Sequence, residues 1–173
     1  MDFCISKLAY KTGLLACCLY MLCFASAWAK PKDILISEQG TPEIKIGMSY
    51  AQVKALFHNL PVPRQESHDC RQIDLADREL MLLFIDDVLA RVDFYGTYYV
   101  TDKNIRVGSS PQAVTAAYGK DAMVEEDKYD PSGLNMTVRI SGRLGLKFYI
   151  ADNITAEVSA GTITALALVE GCL

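Results

Sequence analysis

Residues 44–53 read IKIGMSYAQV and residues 105–114 read IRVGSSPQAV, so one pattern occurs twice at a constant offset of 61 residues. In each copy an apolar–basic–apolar stretch precedes a glycine, and a serine stands two residues after that glycine. A period of this size indicates that one structural unit is used twice. The sequence therefore predicts two tandem units.

Each copy of the pattern predicts a turn that leads into a short helix. The glycine allows the chain to turn, because it adopts positive φ without steric cost. The serine stands where an N-cap is expected. A glutamine three residues later completes a capping box in the first copy, and a proline takes the first helical position in the second. These roles fall to Gly47, Ser49, Gln52, Gly108, Ser110 and Pro111.

Strand-like runs follow each predicted helix, separated by short turns that favour antiparallel pairing. The predicted strands are residues 71–75, 80–85, 88–94, 134–141, 146–150, 154–160 and 162–169. The predicted fold class is α+β, with two tandem units that each pack a short helix on an antiparallel sheet. The acidic segment 125–130 lacks the spacing of a calcium loop and is interpreted as a solvated connection.

The domain boundaries follow from these elements. We predict a signal peptide at 1–29, an extended N-terminal segment at 30–43, a first helix-plus-sheet unit at 44–95, a linker at 96–104 and a second unit at 105–173. The leader has Lys7 and Lys11 before an uncharged apolar run that ends in an A-x-A cleavage signal at 27–29. The alternatives are an uncleaved membrane anchor and, from the lipobox-like residues 14–17, lipidation. After cleavage we expect no stable membrane insertion and a periplasmic or secreted location.

Cleavage would also change the charge and the cysteine content. The net charge is −4 and becomes −5 when Asp2, Lys7 and Lys11 leave, which disfavours a nucleic-acid partner. Only Cys70 and Cys172 lie outside the leader, and in an exported protein they are most simply explained as one disulfide. Two buried free thiols are the alternative. The sequence spacing fits no usual zinc site.

The repeated motif and the strands that follow it resemble the β-lactamase-inhibitor-protein fold, of which small outer-membrane-assembly lipoproteins use a single copy. The second half also resembles uncharacterised exported bacterial proteins that end in EGC, through the matching segments 107–119, 148–161 and 170–172. The resemblance covers about residues 44–172. It implies a protein that binds other macromolecules and has no catalytic residues of its own.

The sequence contains none of the usual catalytic or cofactor motifs. It has no G-x-S-x-G, no H-E-x-x-H, no P-loop and no dinucleotide-binding glycine fingerprint. We therefore predict no catalytic residues, no metal site and no cofactor. At 51% hydrophobic and 22% charged residues, the composition fits one compact domain and excludes a disordered polar chain.

Tyrosines form the best candidate for a contact surface, because tyrosine combines apolar area with a hydrogen-bonding group. The candidates are Tyr95, Tyr98, Tyr99 and Tyr129; the alternative is that they cover the sheet edge or fill the seam between the units.

The predicted function is an exported, non-enzymatic protein that binds or inhibits an envelope or secreted protein such as a hydrolase. The alternatives are a carbohydrate-binding module that uses the tyrosines and a structural envelope protein.

Overall fold

The computed structural model describes residues 32–63, 65–66, 69–169 and 171–172, and the predicted signal peptide at 1–29 lies outside them. The helices are α1 (Tyr50–Leu56), α2 (Pro111–Tyr118) and α3 (Ile163–Leu166). The strands are β1 (Ile34–Ile36), β2 (Gln65–Glu66), β3 (Cys70–Leu75), β4 (Leu80–Ile85), β5 (Val88–Phe94), β6 (Tyr99–Thr101), β7 (Ala122–Glu126), β8 (Leu134–Ser141), β9 (Leu144–Ala151) and β10 (Ile154–Thr162). Short 3-10 turns occupy Ala76–Arg78 and Gly119–Asp121.

One eight-stranded antiparallel sheet dominates the fold, with the strand order β2-β3-β4-β5-β10-β9-β8-β7. A helix followed by four strands occurs twice along the chain, and the last strands of the two series, β5 and β10, pair at the centre of the sheet. A small parallel pair, β1 with β6, lies apart from this sheet. The α+β class is confirmed, while the division into two tandem units stays a prediction.

The two motif glycines make the same backbone contacts in their own halves. Gly47 has φ 92° and donates to the carbonyl of Leu89 in β5 at 2.8 Å. Gly108 has φ 91° and donates to the carbonyl of Thr155 in β10, also at 2.8 Å. Positive φ is the conformation that favours glycine, so the residue type explains why each turn can reach the last strand of its half.

The main core lies between the sheet and helices α1 and α2. Val53 of α1 and Val114 of α2 are fully buried in the same cluster as Phe94 and Phe148. The ring of Tyr118 at the end of α2 packs 5.2 Å from that of Phe148. Alternate residues of each strand point to this side, which we call the core face; the opposite side of the sheet is the open face.

Serine hydroxyls begin the two longer helices. Ser49 Oγ accepts from the backbone of Gln52 at 3.2 Å, and the Gln52 side chain accepts from the Ser49 backbone at 2.8 Å, which forms a capping box. Ser110 Oγ accepts from the backbone of Ala113 at 3.2 Å, with Pro111 in the first helical position. Each cap satisfies an N–H group that the helix itself leaves without a partner.

Replacing Ser49 with Ala is expected to lower the free energy of unfolding by about 1 kcal/mol, because the substitution removes the acceptor for the Gln52 amide. Urea denaturation of the full chain measures the loss. Ser49→Gly is the matched variant and should cost only a few tenths of a kcal/mol, since glycine leaves the cap position open to water. Equal losses for the two variants would contradict the capping role.

Cys70 and Cys172 form the predicted disulfide, with 5.5 Å between their Cα atoms. The bond joins the beginning of β3 to the segment that follows α3. Cys172 is buried beside Leu83, Ala90 and Ala165, in a second small cluster on the open face. The disulfide therefore holds the C-terminal segment against that face.

The strand predicted over residues 162–169 is wrong, because the chain there forms α3 and folds back over the open face. Thr162 Oγ1 caps the helix by accepting from the backbone of Ala165 at 3.2 Å. Gly145 lies beside this helix, where a Cβ atom would lie 2.8 Å from Ile163 Cδ1 and would meet the backbone carbonyl of Val138 still more closely. Local sequence favours an extended strand, and these tertiary contacts override it.

Two further segments differ from their sequence interpretation. Part of the acidic segment 125–130 belongs to strand β7, whose backbone pairs with β8 along its whole length. An edge strand needs backbone partners on one side only, so exposed acidic side chains do not prevent it from forming. The predicted linker 96–104 contains β6, which pairs with β1 of the extended N-terminal segment.

Candidate binding face

Strand alternation places a set of polar and charged side chains on the open face. Val92 and Phe94 of β5 are buried in the main core, so the residues between and beside them, Arg91 and Asp93, point to the other side. The same alternation brings polar residues of the neighbouring strands to the open face. They are Glu157 and Ser159 of β10, Lys147 and Tyr149 of β9, and Asn135 and Thr137 of β8.

The register aligns these side chains in two rows across the strands. The first row runs from Asp93 through Ser159 and Lys147 to Thr137. The second row runs from Glu157 through Tyr149 and Asn135 to Glu125 on the edge strand β7. Opposite residues in a sheet lie about 4.5–5.5 Å apart at Cβ, so each row is a continuous polar strip.

A buried ion pair lies at one end of the first row. Arg91 and Asp93 are 4% and 1% exposed in their side chains, and Arg91 Nε lies 2.8 and 3.0 Å from the two oxygens of Asp93. The same guanidinium donates to the carbonyls of Ala165 and Leu168 at 2.8 and 2.7 Å. Arg91 thus neutralises Asp93 and also fixes α3 on the sheet.

Glu157 lies beside this pair and differs from an ordinary surface carboxylate. Burial raises the pKa of Glu157, and the charge of Asp93 raises it further. The Ser159 hydroxyl donates to Glu157 Oε1 at 2.8 Å and opposes this shift. Burial also raises the pKa of the Tyr95 hydroxyl, and the charge of Glu157 raises it further.

Lys147 is the second charged side chain of the open face whose pKa is shifted. Burial lowers the pKa of Lys147, and repulsion from Arg91 acts in the same direction. The nearby carboxylates of Glu157 and Asp93 partly offset both effects. The floor of the open face therefore carries charges that largely compensate one another.

A cleft of about 390 Å³ opens above this floor, between strands β7–β10 and α3. Helix α3 and the residues after it form one wall, and the edge strand β7 forms the other. Residues that line it include Glu125, Lys147, Tyr149, Glu157, Leu166 and Val169. The part of the chain that the structure describes places no other element over the cleft, which leaves its polar floor open to a ligand.

The four candidate tyrosines do not form one surface. Tyr99 is 3% exposed, with its ring 4.7 Å from that of Phe94, so it belongs to the core. Tyr98 and Tyr99 both donate their hydroxyls to the carbonyl of Arg78, at 2.7 and 2.8 Å. Tyr95 and Tyr129 are exposed, and Tyr129 lies far along the chain in the loop after β7.

Sequence reasoning missed Arg91, Asp93, Lys147 and Glu157. The signal that could have found them is the alternation of charge with apolar residues in VLARVDF at 88–94 and of polar with apolar residues in ITAEVSAGT at 154–162. Such alternation predicts a polar sheet face. It does not reveal that the two strands are neighbours, because their pairing joins distant parts of the chain.

Within the described ranges, no three His, Cys, Asp or Glu residues are grouped closely enough to hold a metal ion. The helices found there are all too short or too polar to span a bilayer. The exposed His58 follows α1, whereas His68 lies outside the described residues.

No known protein family and no curated protein matches this sequence. Among solved structures, the fold is similar to the uncharacterized protein yfeY from Escherichia coli, with 10% identity and a TM-score of 0.49 over 75% of this chain and 99% of that one. It is also similar to a DUF4309 family protein, YjgB, from Bacillus subtilis, with 14% identity and a TM-score of 0.49 over 72% of this chain and 84% of that one. Similarity at this level has no bearing on function.

Proposed function

We propose that this chain is an exported, non-enzymatic binding protein whose open face binds a protein partner. The single observation that carries the proposal is the open cleft, whose floor holds aligned polar side chains that α3 covers only on one side. A few fixed polar groups at the base of a concave surface give a binding site its orientation and specificity. The main core and the capped helices lie on the opposite face and hold that floor in position.

The chemistry of the cleft supports binding over catalysis. Ser159 and Glu157 are a hydroxyl and a carboxylate in hydrogen-bond contact, which is an arrangement that an activated nucleophile would use. Ser159, however, is fully buried, so a substrate has no access to its oxygen. The contact instead satisfies a hydroxyl and a desolvated carboxylate.

The disulfide supports export, because such bonds persist in oxidising compartments outside the cytosol. The proposed location is the periplasm or the exterior, in agreement with the leader predicted from the sequence. The resemblance to the β-lactamase-inhibitor-protein fold suggests a concrete partner, a secreted or envelope hydrolase. That resemblance rests on short motifs and forms part of the proposal.

The proposal is tested with a variant that fills the cleft. Thr137→Tyr puts a bulky neutral side chain on the floor of the cleft, whereas Thr115→Tyr places the same side chain on the exposed surface of α2. The wild-type protein is used to capture partners from a bacterial envelope extract, and each captured protein is then titrated against all three forms. We expect Thr137→Tyr to weaken binding about tenfold or more and Thr115→Tyr to leave it unchanged.

Two results would contradict the proposal. One is the retention of no protein at micromolar concentration. The other is an equal affinity of the captured protein for the wild type and for Thr137→Tyr, which would place its binding site outside the cleft.

A further inference from the structure

Strand β7 ends the eight-stranded sheet and forms the outer wall of the cleft. It pairs with β8 over all five of its residues, from Ala122 opposite Val138 to Glu126 opposite Leu134, without a register shift. The described residues place no strand on its other side. The opposite edge, β2, is only two residues long. Among the described residues, β7 is thus the longer and more regular edge of the sheet, and it borders the proposed binding site.

The backbone groups that β7 leaves unpaired can be assigned from the ladder. Asp127 N donates to Gly133 O at 2.9 Å, which makes this a hydrogen-bonded pair. Such pairs recur at every second residue of an antiparallel ladder, so Glu125 and Met123 also bond to β8. The N–H and C=O groups of Ala122, Val124 and Glu126 therefore point away from the sheet and are open to a further strand.

The side chains of β7 block the sheet edge only in part. Proteins protect such edges with charged side chains, especially lysine, and with proline, bulges or a covering loop; β7 ends in two glutamates but has no lysine, proline or bulge. The sequence of β7 is AMVEE, and its two central apolar side chains, Met123 and Val124, are 55% and 53% exposed. Apolar exposure next to unpaired backbone groups is the pattern of a strand that accepts another strand.

The charges around β7 select the kind of strand that fits. Glu125, Glu126, Asp127 and Glu157 line the cleft, against two amines from Lys128 and Lys147. Glu125 and Glu126 of the edge strand stand at the rim, whereas Lys147 lies on the floor near the compensating carboxylates of Glu157 and Asp93. A second copy of this chain would add its own Glu125 and Glu126 to this acidic rim, whereas a basic strand would neutralise it. The rim therefore favours a basic strand.

The two faces of β7 also define the pattern of that strand. Glu125 points to the open face, whereas Val124 lies on the core face, opposite the buried Met136. A strand added at the edge continues both faces, so its alternate residues lie beside Glu125 and beside Val124. An alternation of lysine or arginine with apolar residues satisfies both.

We propose that β7 binds an extended basic segment of the partner protein by β-strand addition, with basic residues on the open face beside Glu125 and apolar residues on the core face beside Val124. This inference rests on the proposed function and assigns the chemistry of its partner. The backbone ladder supplies affinity, and the rim charges supply selectivity for a basic sequence.

The experiment uses the full mature chain and a blocked, alternating Lys-Val peptide of about seven residues, which is long enough to pair with the whole of β7. Controls are a Glu-Val peptide of the same length and a Lys-Val peptide N-methylated at alternate residues, in both registers. Binding is measured by fluorescence anisotropy, and amide hydrogen exchange reports on β7. We expect the Lys-Val peptide to bind and the amides of Val124 and Glu126 to become protected. The Glu-Val peptide and the peptide N-methylated on the amides that face β7 should bind about tenfold more weakly or not at all, whereas N-methylation in the other register should have little effect.

Two protein variants complete the test. Val124→Pro removes an outward N–H without breaking a bond to β8, which is the placement that an edge strand tolerates. Val124→Thr keeps that N–H and a similar shape. Binding should fall about tenfold in the proline variant and less than about threefold in the threonine variant. The N-methylated peptides address the same backbone groups without altering the protein, so the test does not depend on the proline variant folding.

The inference is overturned if the Lys-Val peptide does not bind at millimolar concentration, if N-methylation has no effect, or if the Glu-Val peptide binds equally well. It is also overturned if the wild type is a dimer in sedimentation that Val124→Pro dissociates, because the edge would then be occupied by a second copy. A captured partner that binds Thr137→Tyr more weakly than the wild type but binds Val124→Pro with unchanged affinity is a separate outcome. That result would support the proposed function and refute strand addition alone.

Discussion

Replacing both Cys70 and Cys172 with serine is expected to lower the free energy of unfolding by about 4–5 kcal/mol. The disulfide joins cysteines 102 residues apart, so it restricts the unfolded chain more than a short loop would, although this effect grows only slowly with loop length. Guanidinium denaturation of the wild type and of the double variant measures the difference. The loss is a large fraction of the 5–15 kcal/mol that is typical of a whole protein.

Reduction provides an independent control on the same bond. Adding reductant to the wild type should lower its stability to that of the double variant, while the double variant should not respond. A loss below about 1 kcal/mol in both experiments would mean that α3 and the segment after it are held by their other contacts, and the structural role given to the disulfide would be wrong.

Replacing Arg91 with Met is expected to cost about 3–5 kcal/mol, because the fully buried Asp93 would lose its cation. The carbonyls of Ala165 and Leu168 would lose a donor at the same time. Methionine keeps much of the length of the arginine side chain, so the loss reports on charge and hydrogen bonding more than on volume. Chemical denaturation measures it.

A second substitution separates the two roles of Arg91. Adding Asp93→Leu to Arg91→Met removes the unpaired charge, and most of the lost stability should return. The remainder measures the anchoring of α3, which amide exchange in residues 163–168 should report as faster opening. If the double variant is no more stable than Arg91→Met alone, the cost does not come from an unpaired Asp93.

The local parts of the fold could be predicted from the sequence because their causes are local. A serine at the N-cap with its glutamine three residues later determines where α1 begins, and the pair Asp86 and Asp87, both with positive φ, determines the turn between β4 and β5. The disulfide was predicted from the count of cysteines outside the predicted leader. None of these inferences required knowledge of distant contacts.

Residues 162–169 show where such inference stops. Their apolar and β-branched composition favours a strand, but Arg91 binds two carbonyls of this segment from a position more than 70 residues earlier in the chain. Gly145 of β9 is nearer along the chain but still outside the local window, and a Cβ atom there would lie 2.8 Å from Ile163 Cδ1. Tertiary contacts of this kind cannot be predicted from a short local stretch of sequence.

The candidate site was missed for a related reason. Charged residues in β5 and β10 could be recognised as one polar side of each strand, but only the pairing of Asp93 with Ser159 shows that they share a floor. For the tyrosines, the sequence suggested a shared surface that the structure does not have. Nothing in the sequence distinguishes Tyr98 and Tyr99 from the exposed Tyr129. In the structure both donate to the Arg78 carbonyl, which identifies them as packing residues.

The central position of the β5–β10 pair has a consequence for how the chain folds as it is made. Strand β5 is synthesised early, and its partner residues in β10 follow roughly 65 residues later. The strand at the middle of the finished sheet therefore begins with one edge unpaired. Until β10 has been made, this apolar strand is a target for wrong pairing. A holding chaperone that shields β5 until β10 emerges would therefore raise the yield of native protein more than one that acts on the completed chain.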